Sequence, residues 1–183
     1  PASRRDELER LGVDLRVADL EQPASLPQAF SGARQVLHLA HIRYAPALLA
    51  AVDGQVERLV LVSSMRRFSR VPSPSVDEVV RGEAAALASG LPCTLLRPSM
   101  IYGPGDDRNI GRLAAYLRRR RWLPVFGSGR HLQQPVYVED VVEAILQAAR
   151  RPQAIGRSYA LAGPASLSYD RLIDLVGAAV GVR

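Results

Sequence analysis

Arg58-Leu59-Val60-Leu61-Val62-Ser63 and Pro92-Cys93-Thr94-Leu95-Leu96-Arg97 flank a helical pattern from Pro74 to Ser89, and together they decide the fold. Each hexapeptide is an almost continuous apolar run bounded by polar or turn residues, the pattern of a strand buried on both faces. Strands of that kind lie in parallel sheets, where a crossover helix returns the chain to the same edge. Gly90 supplies the stop for that helix. Working outward, Val13 to Ala18 and Gln35 to Ala40 read as two more strands. Helical patterns fall between them: Arg4 to Leu11 closed by Gly12, Ser25 to Phe30 closed by Gly32, and Tyr44 to Val52 before Gly54. Strand and helix alternating at this pitch predict a doubly wound parallel α/β sheet.

Beyond Arg97 the rhythm changes. Pro98, Gly103, Pro104 and Gly105 mark a loop, after which Ile110, Leu113, Ala114 and Leu117 recur at helical spacing and run into Arg118 to Arg121. Gly127-Ser128-Gly129 makes a turn before an extended stretch, Pro135 to Val138. Asp140 stands at an N-cap position ahead of Val141, Val142, Ile145, Leu146 and Ala149, and Pro152 ends that helix. A short strand, Ser158 to Ala162, precedes a helix capped by Ser168.

With 183 residues, 48% hydrophobic and 23% charged, the chain suits one globular domain with a substantial core. It has no apolar run long enough for a membrane span, and its polar N-terminus is unlike a secretory signal, so a cytoplasmic location is expected. Cys93, the one cysteine, reads as a buried thiol. All 24 basic residues are arginine. Without lysine there is no P-loop lysine, no Schiff base and no Tyr-x-x-x-Lys relay. The net charge is +6, but only Trp122 joins the run Arg118 to Arg121, so no nucleic-acid partner is expected and the run reads as a solvated helix end.

Five segments in order carry a family resemblance. They are Gly12-Val13 with Ala18-Asp19-Leu20; Val36-Leu37-His38-Leu39-Ala40; Leu61-Val62-Ser63-Ser64; Leu96-Arg97-Pro98 with Ile101-Tyr102-Gly103-Pro104; and Pro135-Val136-Tyr137-Val138-Glu139-Asp140-Val141. Over nearly all its length the chain resembles the NAD(P)-dependent epimerase/dehydratase group of the extended short-chain dehydrogenase/reductases. Gln134-Pro135-Val136-Tyr137-Val138 and Leu161-Ala162-Gly163-Pro164 resemble an atypical branch. That branch includes the Rossmann-type accessory subunit of respiratory complex I and small bacterial nucleotide-sugar-epimerase-like proteins. The resemblance implies a single Rossmann-type domain over residues 1–183, N-terminally incomplete. It also implies a small C-terminal substrate lobe at about 103–133 and 154–183, a ligand cleft between the two, and NAD or NADP as cofactor.

Two parts of the family's pattern are missing. No Gly-x-x-Gly-x-x-Gly opens a helix after a strand, and there is no initiator Met. In the usual order 3-2-1-4-5-6, the strand at Val13 to Ala18 meets the one at Gln35 to Ala40 only through strands two and one. A sheet without those two would leave apolar edges open, so roughly 40 to 60 further N-terminal residues are expected. The Tyr-x-x-x-Lys pair is absent as well. Counting back from Glu83 puts Val79 at the lysine and Ser75 at the tyrosine, and neither can act as the general acid/base.

The resemblance implies that Asp19 and Leu20 face the adenine, that Leu39 and Ala40 pass beside the ribose and phosphates, and that Ser63 lies on the cofactor side. Pro98 and Met100 would form an apolar wall at the nicotinamide. Ser64, at a strand's carboxyl end, is the surviving polar catalytic residue, although a plain strand cap explains it equally well. If chemistry persists, His41 or Tyr102 would be the substitute acid/base. Gln133 stands where many sugar-nucleotide epimerases carry an arginine that grips the diphosphate, so Arg130 or Arg112 would have to compensate as substrate contacts. His38, His41 and His131 lack the spacing of a metal site, so no metal is expected, and His38 reads as a hydrogen-bonded core residue.

Three functions stay open. One is a cofactor-binding, nucleoside-diphosphate-sugar epimerase/dehydratase-like protein without the usual catalytic pair. The second is an active epimerase or reductase with a nonstandard acid/base. The third is a non-catalytic cofactor-sensing or scaffold subunit. The expected partners are a small-molecule substrate and a second copy or larger complex.

Overall fold

The computed structural model describes residues 6, 8–52, 54–105, 107–120 and 122–182. In chain order the strands are β1 (Gln35–His38), β2 (Arg58–Val62), β3 (Cys93–Pro98), β4 (Ile101–Tyr102), β5 (Leu132–Gln133), β6 (Val136–Tyr137), β7 (Ser158–Leu161) and β8 (Leu167–Ser168). The helices are α1 (Leu26–Phe30), α2 (Ala45–Ala51), α3 (Pro74–Ala88), α4 (Ile110–Arg120), α5 (Val138–Arg150) and α6 (Tyr169–Ala179). The main sheet runs β1-β2-β3-β7 with every pair parallel, as the two apolar hexapeptides require.

Alternation along β2 and β3 divides the core in two. Leu59, Leu61 and Leu95 point to one face, where they pack with Ile42, Leu48, Val79 and Ala86 from α2, α3 and the turn before α2. Val60 and Leu96 point to the other, against Val141, Ile145 and Ala148 of α5. Both faces are therefore covered by helices, which is why these strands read as unbroken apolar runs. Ser73 caps α3 by accepting from the Val76 amide, Pro74 takes the first helical position, and Gly90 (φ 71°) ends it in the left-handed conformation.

The predicted strand Val13 to Ala18 is not formed. Strands exist only in ladders, and among the described residues this segment has no strand beside it. It is held instead by Arg16, whose guanidinium donates to the carbonyls of Ala29 (3.4 Å) and Ser31 (2.8 Å) at the end of α1. β1 is accordingly an edge, with Leu37 and Leu39 exposed beside it. Asp140 is not an N-cap either. α5 begins at Val138, so Asp140 and Glu139 lie in its first turn, where carboxylates meet the helix's positive end. Of the predicted helix Arg4 to Leu11, residues 6 and 8–10 are helical, and Arg4, Arg5 and Glu7 lie outside the described residues.

A smaller set of elements sits beside the sheet. α4 packs on α6 through Leu117, Leu172 and Val176, and β5 pairs antiparallel with β8. β7, which falls inside the expected stretch 154–183, pairs with β3 in the main sheet.

Arg58 begins β2 but works on α5. Its Nη1 donates to the carbonyls of Ala148 (3.1 Å) and Arg151 (2.7 Å), groups that have no partner within the helix. Replacing Arg58 by Met keeps the aliphatic stem but strands the buried Ala148 carbonyl, while that of Arg151 keeps the Ala154 amide. The expected cost is about 2 kcal/mol, measurable as a lower urea midpoint at unchanged slope.

Candidate functional site

The carboxyl ends of β2 and β3 and the segment Leu132 to Gln134 surround a cavity of about 910 Å³. In an open parallel sheet, loops leave the strands in opposite directions at this end and create such a crevice. Five predicted residues line it: Ser63 and Ser64 after β2, Pro98 and Met100 after β3, and Gln133 on β5. The Gln133 carboxamide has no protein hydrogen-bond partner among the described residues, which leaves it free for a ligand.

The two serines differ in what their hydroxyls can still do. Ser63 Oγ donates to Glu83 Oε1 at 2.6 Å, so its proton is spent. Ser64 Oγ accepts from the Arg66 amide at 3.1 Å, capping the turn Met65–Phe68, and keeps its O–H for a ligand.

Glu83, fully buried on α3, anchors this end of the sheet. Arg97 donates to both of its oxygens through Nε (2.9 and 3.2 Å) and Nη2 (2.8 Å), and Arg67 adds Nη1 at 2.9 Å. Burial alone would push the Glu83 carboxyl up. The hydrogen bonds from Arg97 and Ser63 and the charges of Arg97 and Arg67 outweigh burial and hold it below the ordinary carboxylate range. This cluster ties β2, α3 and β3 into one frame behind the cavity.

The positions that correspond to the family's catalytic pair are now visible. Ser75 accepts a long hydrogen bond, 3.4 Å, from Arg66 Nη1, and Val79 is 1% exposed within the apolar core. Neither presents an ionisable group to the cavity.

The other predicted residues are not brought to this cavity. His41 Nδ1 accepts from the Arg43 amide at 3.2 Å, which uses the ring as a cap for the turn Ile42–Tyr44. His38 is buried, donates Nε2 to the His41 carbonyl at 3.2 Å, and is pushed down in pKa by its burial. Tyr102 lines a neighbouring cavity of about 330 Å³ that shares Ile101 and Asn109 with the first, and its ring leans on Tyr137 at 5.4 Å. Asp19 spends its carboxylate locally, accepting from the Glu21 amide (2.9 Å) and Gln22 Nε2 (3.0 Å), which is a turn's use of an aspartate. Leu20 lines a shallow groove with α1. Leu39 and Ala40 are exposed past the end of β1, and Arg130 and Arg112 are exposed outside the cavity.

Sequence reading missed Arg66, Ser73, Asn109 and Gln134. Gln134 is a tether: its Nε2 donates to Gly163 O at 2.6 Å and its own carbonyl accepts from Ser99 Oγ. Ser73-Pro74, a cap followed by proline, was the one local signal that could have placed a residue here.

Residues 75–162 match the NAD dependent epimerase/dehydratase family. Over 137 residues the chain is 32% identical to "NADH dehydrogenase [ubiquinone] 1 alpha subcomplex subunit 9, mitochondrial" of Arabidopsis thaliana, covering 74% of this chain and 34% of that protein. Human short-chain dehydrogenase/reductase family 42E member 1 is 30% identical over 110 residues, 58% of this chain and 28% of its own length. The chain thus spans about a third of the curated relatives it matches. Among solved structures, UDP-glucuronic acid 4-epimerase from Bacillus cereus superposes with a TM-score of 0.81 at 18% identity, covering 99% of this chain and 71% of that one. The dTDP-glucose 4,6-dehydratase DesIV of Streptomyces venezuelae gives 0.80 at 20% identity, over 98% and 68%. These two establish the fold. With the ordered motifs, they lead to one conclusion: the chain has the fold of these proteins, its residues 75–162 match the NAD dependent epimerase/dehydratase family, and its relatives include a short-chain dehydrogenase/reductase.

Proposed function

We propose that the chain forms the nicotinamide-side and substrate-side part of an NAD(P)-binding short-chain dehydrogenase/reductase that holds its nucleotide without the family's Tyr–Lys proton relay. The observation that carries this reading is the cavity itself: it keeps the Ser64 donor, the Gln133 amide and the apolar wall of Pro98 and Met100, while Ser75 and Val79 stand where an acid/base pair would be. The residues fit a dinucleotide's nicotinamide end. Pro98 and Met100 would flank the ring, Ser64 would donate to a carbonyl or hydroxyl oxygen, and the Glu83 cluster would keep the serine strand in place. Bound there, the nicotinamide would supply hydride chemistry. The chain offers Ser64 to orient a ligand, but at the Tyr–Lys positions no group to move a proton.

Fluorescence titration of NADH and NADPH against the protein at its full natural length tests this. Saturable binding of one of them, without nucleotide turnover across a panel of nucleoside-diphosphate sugars, is the expected result. No binding at millimolar nucleotide would overturn it. Likeness to a protein named as a subunit of an NADH dehydrogenase favours the sensing or scaffold form of this reading, in which a partner complex replaces a substrate. The buried, unpaired Cys93 suits a reducing compartment such as the cytoplasm.

One observation favours a second, active reading. Tyr102 borders the cleft through the adjoining cavity, whereas His41 is occupied as a cap. Substrate-dependent turnover that vanishes in Tyr102→Phe would establish it.

A further inference from the structure

We propose that residues 108–138 carry a docking surface for an anionic lipid bilayer, on which the protein lies peripherally. Seven arginines and no aspartate or glutamate fall between Arg108 and Val138, giving this segment a formal charge of +7. The whole chain carries +6, so the remainder carries −1. Acidic residues flank the segment on both sides, Asp106 and Asp107 before it and Glu139 and Asp140 after it, yet the smaller lobe as a whole, 103–133 with the residues beyond Leu161, still carries +5 of the net +6.

The fold turns that segment outward. α4 buries Leu117, with Ile110 and Leu113 packed beside it, against α6 and leaves Arg112, Arg118 and Arg119 exposed on its other side and Arg120 exposed at its end. None of these four side chains has an ion-pair or hydrogen-bond partner among the described residues. After one more arginine, Arg121, the sequence continues as the apolar run Trp122-Leu123-Pro124-Val125-Phe126, in which Trp122 is 62% and Phe126 91% exposed. An aromatic left that bare forfeits burial worth more than any surface contact it makes, so a partner that covers it gains.

A cluster of arginines beside exposed Trp and Phe matches the two attractions an anionic bilayer offers: headgroup charge for the cations and an acyl boundary for the rings. Single-stranded nucleic acid shares the charge and would stack on the rings. The run after Arg121 favours lipid: apart from the Trp122 indole it has no hydrogen-bonding side chain, and its exposed Trp122 and Phe126, with Leu123 packed inward, suit insertion better than base reading.

Co-sedimentation of the full natural protein with vesicles of phosphatidylcholine alone, and with phosphatidylserine added, tests the proposal. Binding about tenfold tighter to the anionic vesicles is expected, weakening as salt is raised. Trp122, the single tryptophan of this sequence, is expected to shift its emission to the blue on binding. Arg118→Gln, Arg119→Gln and Arg120→Gln together should abolish the preference for anionic vesicles. Trp122→Ala with Phe126→Ala should leave a weaker, wholly salt-sensitive attachment. All five side chains are exposed, so the thermal transition of each variant should not move, which separates lost docking from lost folding. Equal binding to both vesicle types, binding to neither, or binding to single-stranded DNA or RNA without binding to vesicles would overturn the proposal.

Discussion

Glu83→Ala is expected to destabilise the protein by about 3–5 kcal/mol, the range for removing one member of a buried ion cluster. On a chain of this size that corresponds to a melting temperature lower by on the order of 10 °C. The loss is large because three groups are orphaned together. Arg97 loses both acceptors, Arg67 its partner and the Ser63 hydroxyl its only acceptor, all where water enters poorly. Glu83→Gln separates charge from shape. In the folded protein the carboxyl is held below its ordinary value of 4.5, so the stability it contributes is complete above that value and is lost as pH falls through the depressed one. Wild type should therefore lose stability on acidification below about pH 4.5, and the Gln variant, less stable at neutral pH, should show a shallower acid slope. Urea midpoints across that range measure both. A cost for Glu83→Ala under about 1 kcal/mol, the worth of one ordinary hydrogen bond, would mean that the cluster is not a structural anchor.

Gly82→Ala, one residue earlier, should cost about 3 kcal/mol, the upper end for inserting a methyl group into a filled site. Inside a helix this exchange ordinarily stabilises by about 1 kcal/mol, so the sign is reversed. The reason is a close approach: a Cβ at Gly82 would lie 2.8 Å from the Ile42 carbonyl carbon and closer still to its oxygen. Backbone of the turn Ile42–Tyr44 cannot step aside as a side chain could, so α3 must move off α2 or the turn must deform. Chemical denaturation of the variant gives the answer, and a neutral or stabilising result would show that the turn yields. Because Gly82 and Glu83 hold the same helix from two directions, the double variant should cost less than the two singles together.

The sheet was legible because β2, β3 and their crossover are specified by local signals: apolar runs, a Ser-Pro start and a Gly90 stop. Val13 to Ala18 has the same kind of composition and still forms no strand, since pairing depends on what lies beside it and no local pattern records that. In the site, Ser63, Ser64, Pro98, Met100 and Gln133 could be placed because the ends of parallel strands are where a cleft must open. Glu83 served only as a register marker in the sequence. Its partners are 14 to 20 residues away on other elements, and that convergence is a product of packing. His41, expected at the cleft, does not line the cavity, for a nearer reason. A residue just past a strand end points to the cleft only if the chain continues straight, and here it turns at once into Ile42–Tyr44 and draws the ring in as a cap.

The position of β7 has a kinetic consequence. β1 joins β2 and β2 joins β3 across short crossovers, Gln35 to Arg58 and Leu59 to Cys93, whereas β3 meets β7 through Leu95 and Ser158, nearly twice the span. Closing the longer loop costs more chain entropy before any contact repays it, so β7 is the last strand to dock. Everything between β3 and β7, including α4, β5 and α5, is carried in that closing loop. The segment that carries Gln133 is joined to the end of β3 by the nearer Ile101–Val136 pairing, and docking of β7 adds the Gly163 carbonyl that accepts from Gln134 and completes the cleft's second wall.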